Sequence, residues 1–240
     1  MNAKIITVWG ANGSGKTTTA VNLALALAER NLMVGLISSK LYYGEMQNLF
    51  GKKVDADKGL YRAISNGSTT RNMFVETDNP FLYFLSVENG FDGMLLTAIN
   101  GDMVQELLND AAIRFDYLVI DGSEELNNPL SSIALTMSDK VVTVHRASVK
   151  DCVWFSSMRS MVSLLRLSDK TIHILNAYDK TCDKVAYFSG LGLKFEFDLP
   201  YITNAKILEN SGKQIYSSRN GTGVYRKMIE RLASKLITEG

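Results

Sequence analysis

The sequence predicts an α/β fold, a doubly wound, mostly parallel sheet with helices on both faces. Three observations carry that expectation. Short apolar runs alternate with longer amphipathic ones along the chain. Most of the short runs are apolar on both faces, as strands between two helix layers must be. A repeated β-then-α order implies right-handed crossovers and therefore parallel neighbours.

The first strand is expected at 4–9, where an apolar run flows into a glycine-rich turn and a helix at 16–30. Strands follow at 33–37, 81–87, 117–120, 140–144 and 171–175. At 194–197, Lys194 and Glu196 alternate with Phe195 and Phe197, the pattern of an edge strand. The helices between and after them are expected at 101–113, 130–137, 149–167, 181–189 and 224–238.

The chain has 240 residues, 46% of them hydrophobic and 21% charged, with three prolines. No low-complexity stretch, linker or internal repeat divides it, so one domain over 1–240 is expected. A domain of this length buries about three quarters of its unfolded surface and needs no staples. The formal net charge of +1 demands no polyanionic partner. Cys152 and Cys182 fit no metal spacing and are expected as buried free thiols. The first apolar run is too short for a signal segment, and no stretch is long enough to cross a bilayer. These features predict a cytoplasmic protein.

In parallel sheets ligands sit at the carboxyl ends of the strands. The first strand ends in Gly10, Ala11, Asn12, Gly13, Ser14, Gly15, Lys16 and Thr17, the pattern of a P-loop. Glycines let backbone N–H groups close around phosphate oxygens. The following helix, from Lys16 through Thr18, adds unpaired N–H groups and the positive end of its dipole. Lys16 is expected on the β and γ phosphates, and the Thr17 hydroxyl on Mg²⁺. The ligands so predicted are ATP, or a closely related nucleoside triphosphate, and Mg²⁺. The alternative, a turn that merely reverses the chain, does not require this strand–turn–helix context.

Asp121 stands where the apolar run 117–120 stops, the place for a second Mg²⁺ anchor. Its other reading is a cap for the next segment. Asn176, after the strand at 171–175, carries an amide able to pair with a purine edge, but is equally at home as a turn residue.

Gly15 to Ala24, then Leu27 and Ala28, then 34–37, resemble the start of the ParA/MinD family of P-loop ATPases. Residues 116–121 resemble that family's switch II strand, and 138–144 the strand after it. Asp198, Leu199, Pro200 and Tyr201, followed by Ala205 and by 212–215, are similar to its C-terminal Pro-Tyr segment. The resemblance is weakest over 51–80. It implies an ATP-dependent sandwich dimer, a protein partner, and a switch cycle that positions cargo such as plasmids, chromosomes, division inhibitors, pili or flagella. It also implies that Asn176, Pro200 and Tyr201 contact adenine. The pilus-associated CpaE/TadZ-type branch, which tolerates atypical P-loops, is the subgroup that the chain resembles most.

Two departures stand out. Where most members have a second P-loop lysine, which crosses to the partner's phosphates, this chain has Ala11. Where members have acids after the second strand, it has Ser38 and Lys40. A cation finger changes rates by about 10³–10⁵ in related enzymes, and acid–base help is typically worth ~10²–10⁴. ATP binding with slow or absent hydrolysis is therefore expected, with Lys16 and Asp121 as the catalytic pair that remains. Glu45, Glu124 and Glu125 lie in or near the switch segments and are either substitutes or surface residues.

His173, inside a strand, is expected as a satisfied core residue. Tyr42–Tyr43 and Trp154–Phe155 suit a core or a partner. The last helix, with Val224, Met228, Leu232 and Leu236, reads as core rather than membrane-bound. Its Arg226, Lys227 and Arg231, with Arg219, fit either a solvated face or DNA without sequence preference. Two further readings stand beside the switch: a P-loop enzyme that phosphorylates or ligates a small molecule, and a scaffold with structural ATP.

Overall fold

The computed structural model describes residues 2–55, 57–65 and 71–238. An eight-stranded sheet organises them, in the order β3-β4-β2-β5-β1-β6-β7-β8. The strands are β1 (Lys4–Gly10), β2 (Val34–Ser38), β3 (Val75–Glu76), β4 (Leu82–Leu85), β5 (Tyr117–Asp121), β6 (Lys140–His145), β7 (Thr171–Tyr178) and β8 (Phe195–Pro200). All neighbours pair parallel except β3, which runs antiparallel on β4. β1 is central: Val8 registers with Asp121 on one side and Val142 on the other.

The helices are α1 (Lys16–Ala28), α2 (Met46–Phe50), α3 (Gly59–Ser65), α4 (Gly101–Ala112), α5 (Pro129–Met137), α6 (Val149–Leu164), α7 (Lys184–Leu191), α8 (Ala205–Asn210) and α9 (Gly223–Thr238). Strand alternation sorts them into two layers. Ile6 and Val8 of β1 face a cluster with Leu23 and Leu27 of α1 and Ile229 and Leu232 of α9. Ile5, one residue away, faces the opposite layer with Leu60, Leu107, Leu108 and Ala134. The last helix is thus a core element: Tyr225, Ile229, Leu232, Ala233 and Leu236 are buried. Its Arg226 is held by Glu29 at 2.9 Å and by Glu230 at 2.9 Å. Among the described residues, no helix is long and apolar enough to cross a membrane.

The structure corrects the expected boundaries in several places. The helix expected from 181 starts at Lys184, because the Asp183 side chain caps it by accepting from Ala186 N (3.0 Å). Residues before it form a turn in which Thr181 bonds Asp179. α6 stops at Leu164, and Arg166 beyond it takes a left-handed φ of 51°. β7 continues to Tyr178, so Asn176 lies within a strand rather than after one, beside a register shift and Ala177 at φ 52°. α2, α3, α8 and β3 were not expected. Each has at most seven residues, too few to show a period. β8 is an edge strand, as expected, and its Glu196 pairs with Lys235 of α9 at 2.7 Å. The cysteines are free, but half-buried rather than buried.

Candidate nucleotide-binding site

β1 and β6 are neighbours whose following helices lead to opposite halves of the sheet, so a crevice opens at their carboxyl ends. The glycine-rich turn lies there. Gly10 has φ 155°, and a Cβ on it would come within 2.5 Å of the Val144 carbonyl. Gly15 has φ 95°, and a Cβ on it would collide with the Asn176 carboxamide. Gly15 is also the N-cap of α1, with no side-chain cap and no acid in the first turn. The unpaired N–H groups and positive dipole end of α1 therefore face the crevice, a setting for an anion.

Lys16 is only 7% exposed. Its ammonium donates to the Ala11 carbonyl (2.9 Å) and to Glu124 Oε2 (3.3 Å). Burial lowers its pKa, and Glu124 with Asp121 offsets part of that. Burial also works against Glu124, but a backbone hydrogen bond and Lys16 outweigh it and hold its pKa down. The Trp154 indole donates to the Glu124 carbonyl at 3.4 Å. Trp154 in turn meets Trp9 edge-on at 4.7 Å.

Asp121 ends β5 behind Thr17, whose hydroxyl donates to Oδ2 at 2.8 Å. The other oxygen, Oδ1, is buried with no hydrogen-bond partner. Burial pushes this carboxyl up to about 6, against the pull of Lys40. A buried carboxylate oxygen without a partner, beside a threonine hydroxyl, is a hard-oxygen pair that suits Mg²⁺. The residues present therefore fit the ion expected there.

A cleft of about 1030 Å³ joins these groups to a second wall. Asn12, Gly13, Gly15, Lys16, Thr17 and Thr18 line it, and so do Asn176, Pro200 and Tyr201. Gly10, Ala11, Ser14 and Asp121 do not line it. Asn176 donates its amide to the Ser14 carbonyl (2.9 Å), so it braces the loop as well as facing the cleft. Tyr42 and Tyr43 are exposed at the rim rather than packed away.

Several cleft residues were missed by the sequence reading. Arg146 lies just past β6, and the strand-end rule would have found it. Glu209 of α8 accepts from the Thr18 hydroxyl at 2.6 Å across 191 residues, a pairing no local pattern reveals. Ser39 bonds the Asp121 carbonyl, and Asn128 bonds the Ser39 carbonyl at 2.7 Å.

The sequence profile of the AAA domain family matches residues 3–172. The chain belongs to this family. Its fold is ParA/MinD-like and carries the P-loop. Among curated relatives it is 29% identical over 147 residues to an uncharacterized ATP-binding protein of Methanocaldococcus jannaschii, covering 60% of this chain and 54% of that protein. It is 30% identical over 138 residues to the chromosome partitioning protein ParA of Myxococcus xanthus, covering 54% of this chain and 47% of the relative. The matches thus span about half the length of these relatives. The septum site-determining protein MinD of Pyrococcus horikoshii, solved with Mg-ADP, superposes with a TM-score of 0.80 at 17% identity. That superposition covers 98% of this chain and 96% of the other, a likeness of fold.

Proposed function

We propose that this chain is a ParA/MinD-like, nucleotide-gated switch. It binds ATP with Mg²⁺ in the P-loop cleft, and the triphosphate form pairs two copies and recruits a protein partner. The setting is the partitioning or positioning of cellular cargo, for which the likeness to ParA is the support. One observation carries the reading: Lys16 and the Thr17–Asp121 pair stand together at the switch point, beneath an uncapped helix end. The P-loop and Lys16 hold the phosphates, and Asn176, Pro200 and Tyr201 enclose the base. Mg²⁺, when bound, neutralises phosphate charge.

Hydrolysis is slow or absent in this reading. The tip of β2 offers Ser38, Ser39 and Lys40, none of which can accept a proton from water as a carboxylate does. Glu124 is engaged by Lys16, and Glu45 by Lys40.

Light scattering behind size exclusion tests this, on the wild type and Lys16→Ala, with ATP, ADP or no nucleotide, while phosphate release is followed. Dimerisation of the wild type with ATP alone, at low turnover, supports the switch. A mass that never changes, in wild type and variant alike, sinks it and leaves a scaffold or a small-molecule enzyme.

A further inference from the structure

Of the lysines that line the cleft, two act on the Asp121 carboxyl. Lys16 stands in the P-loop, and Lys40 stands at the tip of β2, both in the cleft wall. The P-loop itself has no second cation, because Ala11 is apolar and buried.

The backbone of Lys40 is tied to the strand end that carries Asp121. Its neighbour Ser39 bonds the Asp121 carbonyl twice, through N at 3.0 Å and Oγ at 2.7 Å. Asn128 then holds the Ser39 carbonyl at 2.7 Å. The Lys40 side chain is 27% exposed and pairs with Glu45, which is 26% exposed. Its ammonium lies 5.4 Å from the centroid of the Tyr43 ring at the cleft rim. It pulls on the Asp121 carboxyl more strongly than Lys16 does, and it repels Lys16.

The site thus holds two mutually repelling cations beside the Thr17–Asp121 pair, each engaged by one glutamate. A solvated surface pair would not need this placement, since such pairs contribute little to stability. A polyphosphate supplies what the arrangement lacks, anionic oxygens that both cations can share at once. A diphosphate is shorter and carries less charge, so the second cation acts mainly on a third phosphate.

We propose that Lys40 is a specificity-determining residue that leaves Glu45 to hold the terminal phosphate of ATP within the same chain, so that the cleft separates triphosphate from diphosphate. Glu45 is its counter-ion when that phosphate is absent. This rests on the cleft being an ATP site.

Calorimetric titration of the full chain with ADP and with a non-hydrolysable ATP analogue tests it, on the wild type, Lys40→Met, Lys40→Arg, Glu45→Gln and Lys16→Ala. Lys40→Met should weaken the analogue about tenfold or more and change ADP by no more than about twofold. Lys40→Arg should keep most of the preference. Glu45→Gln leaves Lys40 in place without its partner and should raise the analogue-to-ADP preference, a readout that survives if Lys40→Met fails to fold. Equal loss of both ligands in Lys40→Met, or an unchanged preference in Glu45→Gln, overturns the proposal alone, provided that Lys16→Ala abolishes binding. A wild type that binds neither ligand overturns the ATP reading and this proposal together.

Discussion

At Gly15 two demands meet in one residue. The chain must turn with φ 95°, a region that costs an L side chain about 1–2 kcal/mol. The space where a Cβ would stand is filled by the Asn176 amide that braces the loop through Ser14. Gly15→Ala is therefore expected to abolish nucleotide binding and to lower the melting temperature by several degrees, at about 2–4 °C per kcal/mol for a chain of this size. Adding Asn176→Ala removes the collision but not the backbone strain, so the double variant should recover part of the lost melting temperature. Equal melting temperatures for the single and double variants, by differential scanning calorimetry, would count against the collision. The glycine itself is legible in the sequence as part of a P-loop. Its second constraint is not, because Asn176 is brought to it by the sheet across 162 residues from Ser14.

Among the elements, β6, β7 and α7 are joined by a polar chain in which His145 is buried and His173 and Tyr187 are half-buried. His145 Nδ1 meets the Tyr187 hydroxyl at 3.0 Å, and His145 Nε2 meets His173 Nδ1 at 3.1 Å. Phe155 and Phe188 close over the His145 ring. Burial pushes His145 down to about 3, with His173 adding to the effect, and burial alone pushes His173 down to about 4. In the unfolded chain both titrate near ~6.5. The neutral pair therefore contributes fully above pH ~6.5 and loses its contribution as the pH falls, down to about 4 for His173 and about 3 for His145, by up to ~1.4 kcal/mol per pH unit for each histidine. Urea unfolding at pH 7.5 and pH 5 should show a larger acid loss in the wild type than in His145→Asn/His173→Gln. Matching losses would refute the assignment. The sequence marked His173 as a satisfied core residue and left its partner unnamed. The strand run is local, whereas the partner lies 28 residues away on the neighbouring strand.

For the molecule as a whole, legibility follows the distance over which a pattern acts. The strand–turn–helix from β1 into α1 is local, and so is the apolar run that ends in Asp121; both could be read directly. The second wall, Asn176, Pro200 and Tyr201, was reached only through the family resemblance, and the charge balance of the cleft was not legible at all. Arg146 and the Lys16–Glu124 pair come together only once the sheet order sets β5, β1 and β6 side by side, and Glu209 only once the chain returns past β8 into α8. Short elements such as α2 and α8 escaped because tertiary packing, rather than periodicity, holds them.

The chain has two tryptophans, and they touch each other while one reaches the carbonyl of Glu124. Their indole rings make the protein its own optical gauge. In the proposed ATP-bound form phosphate draws Lys16 away from Glu124, so the surroundings of Trp154 should change and its emission shift without any attached dye. Adding the ATP analogue should alter the intrinsic fluorescence of the wild type, and Trp154→Phe or Lys16→Ala should silence the change. A response that persists in Trp154→Phe would mean that the gauge reads some other movement.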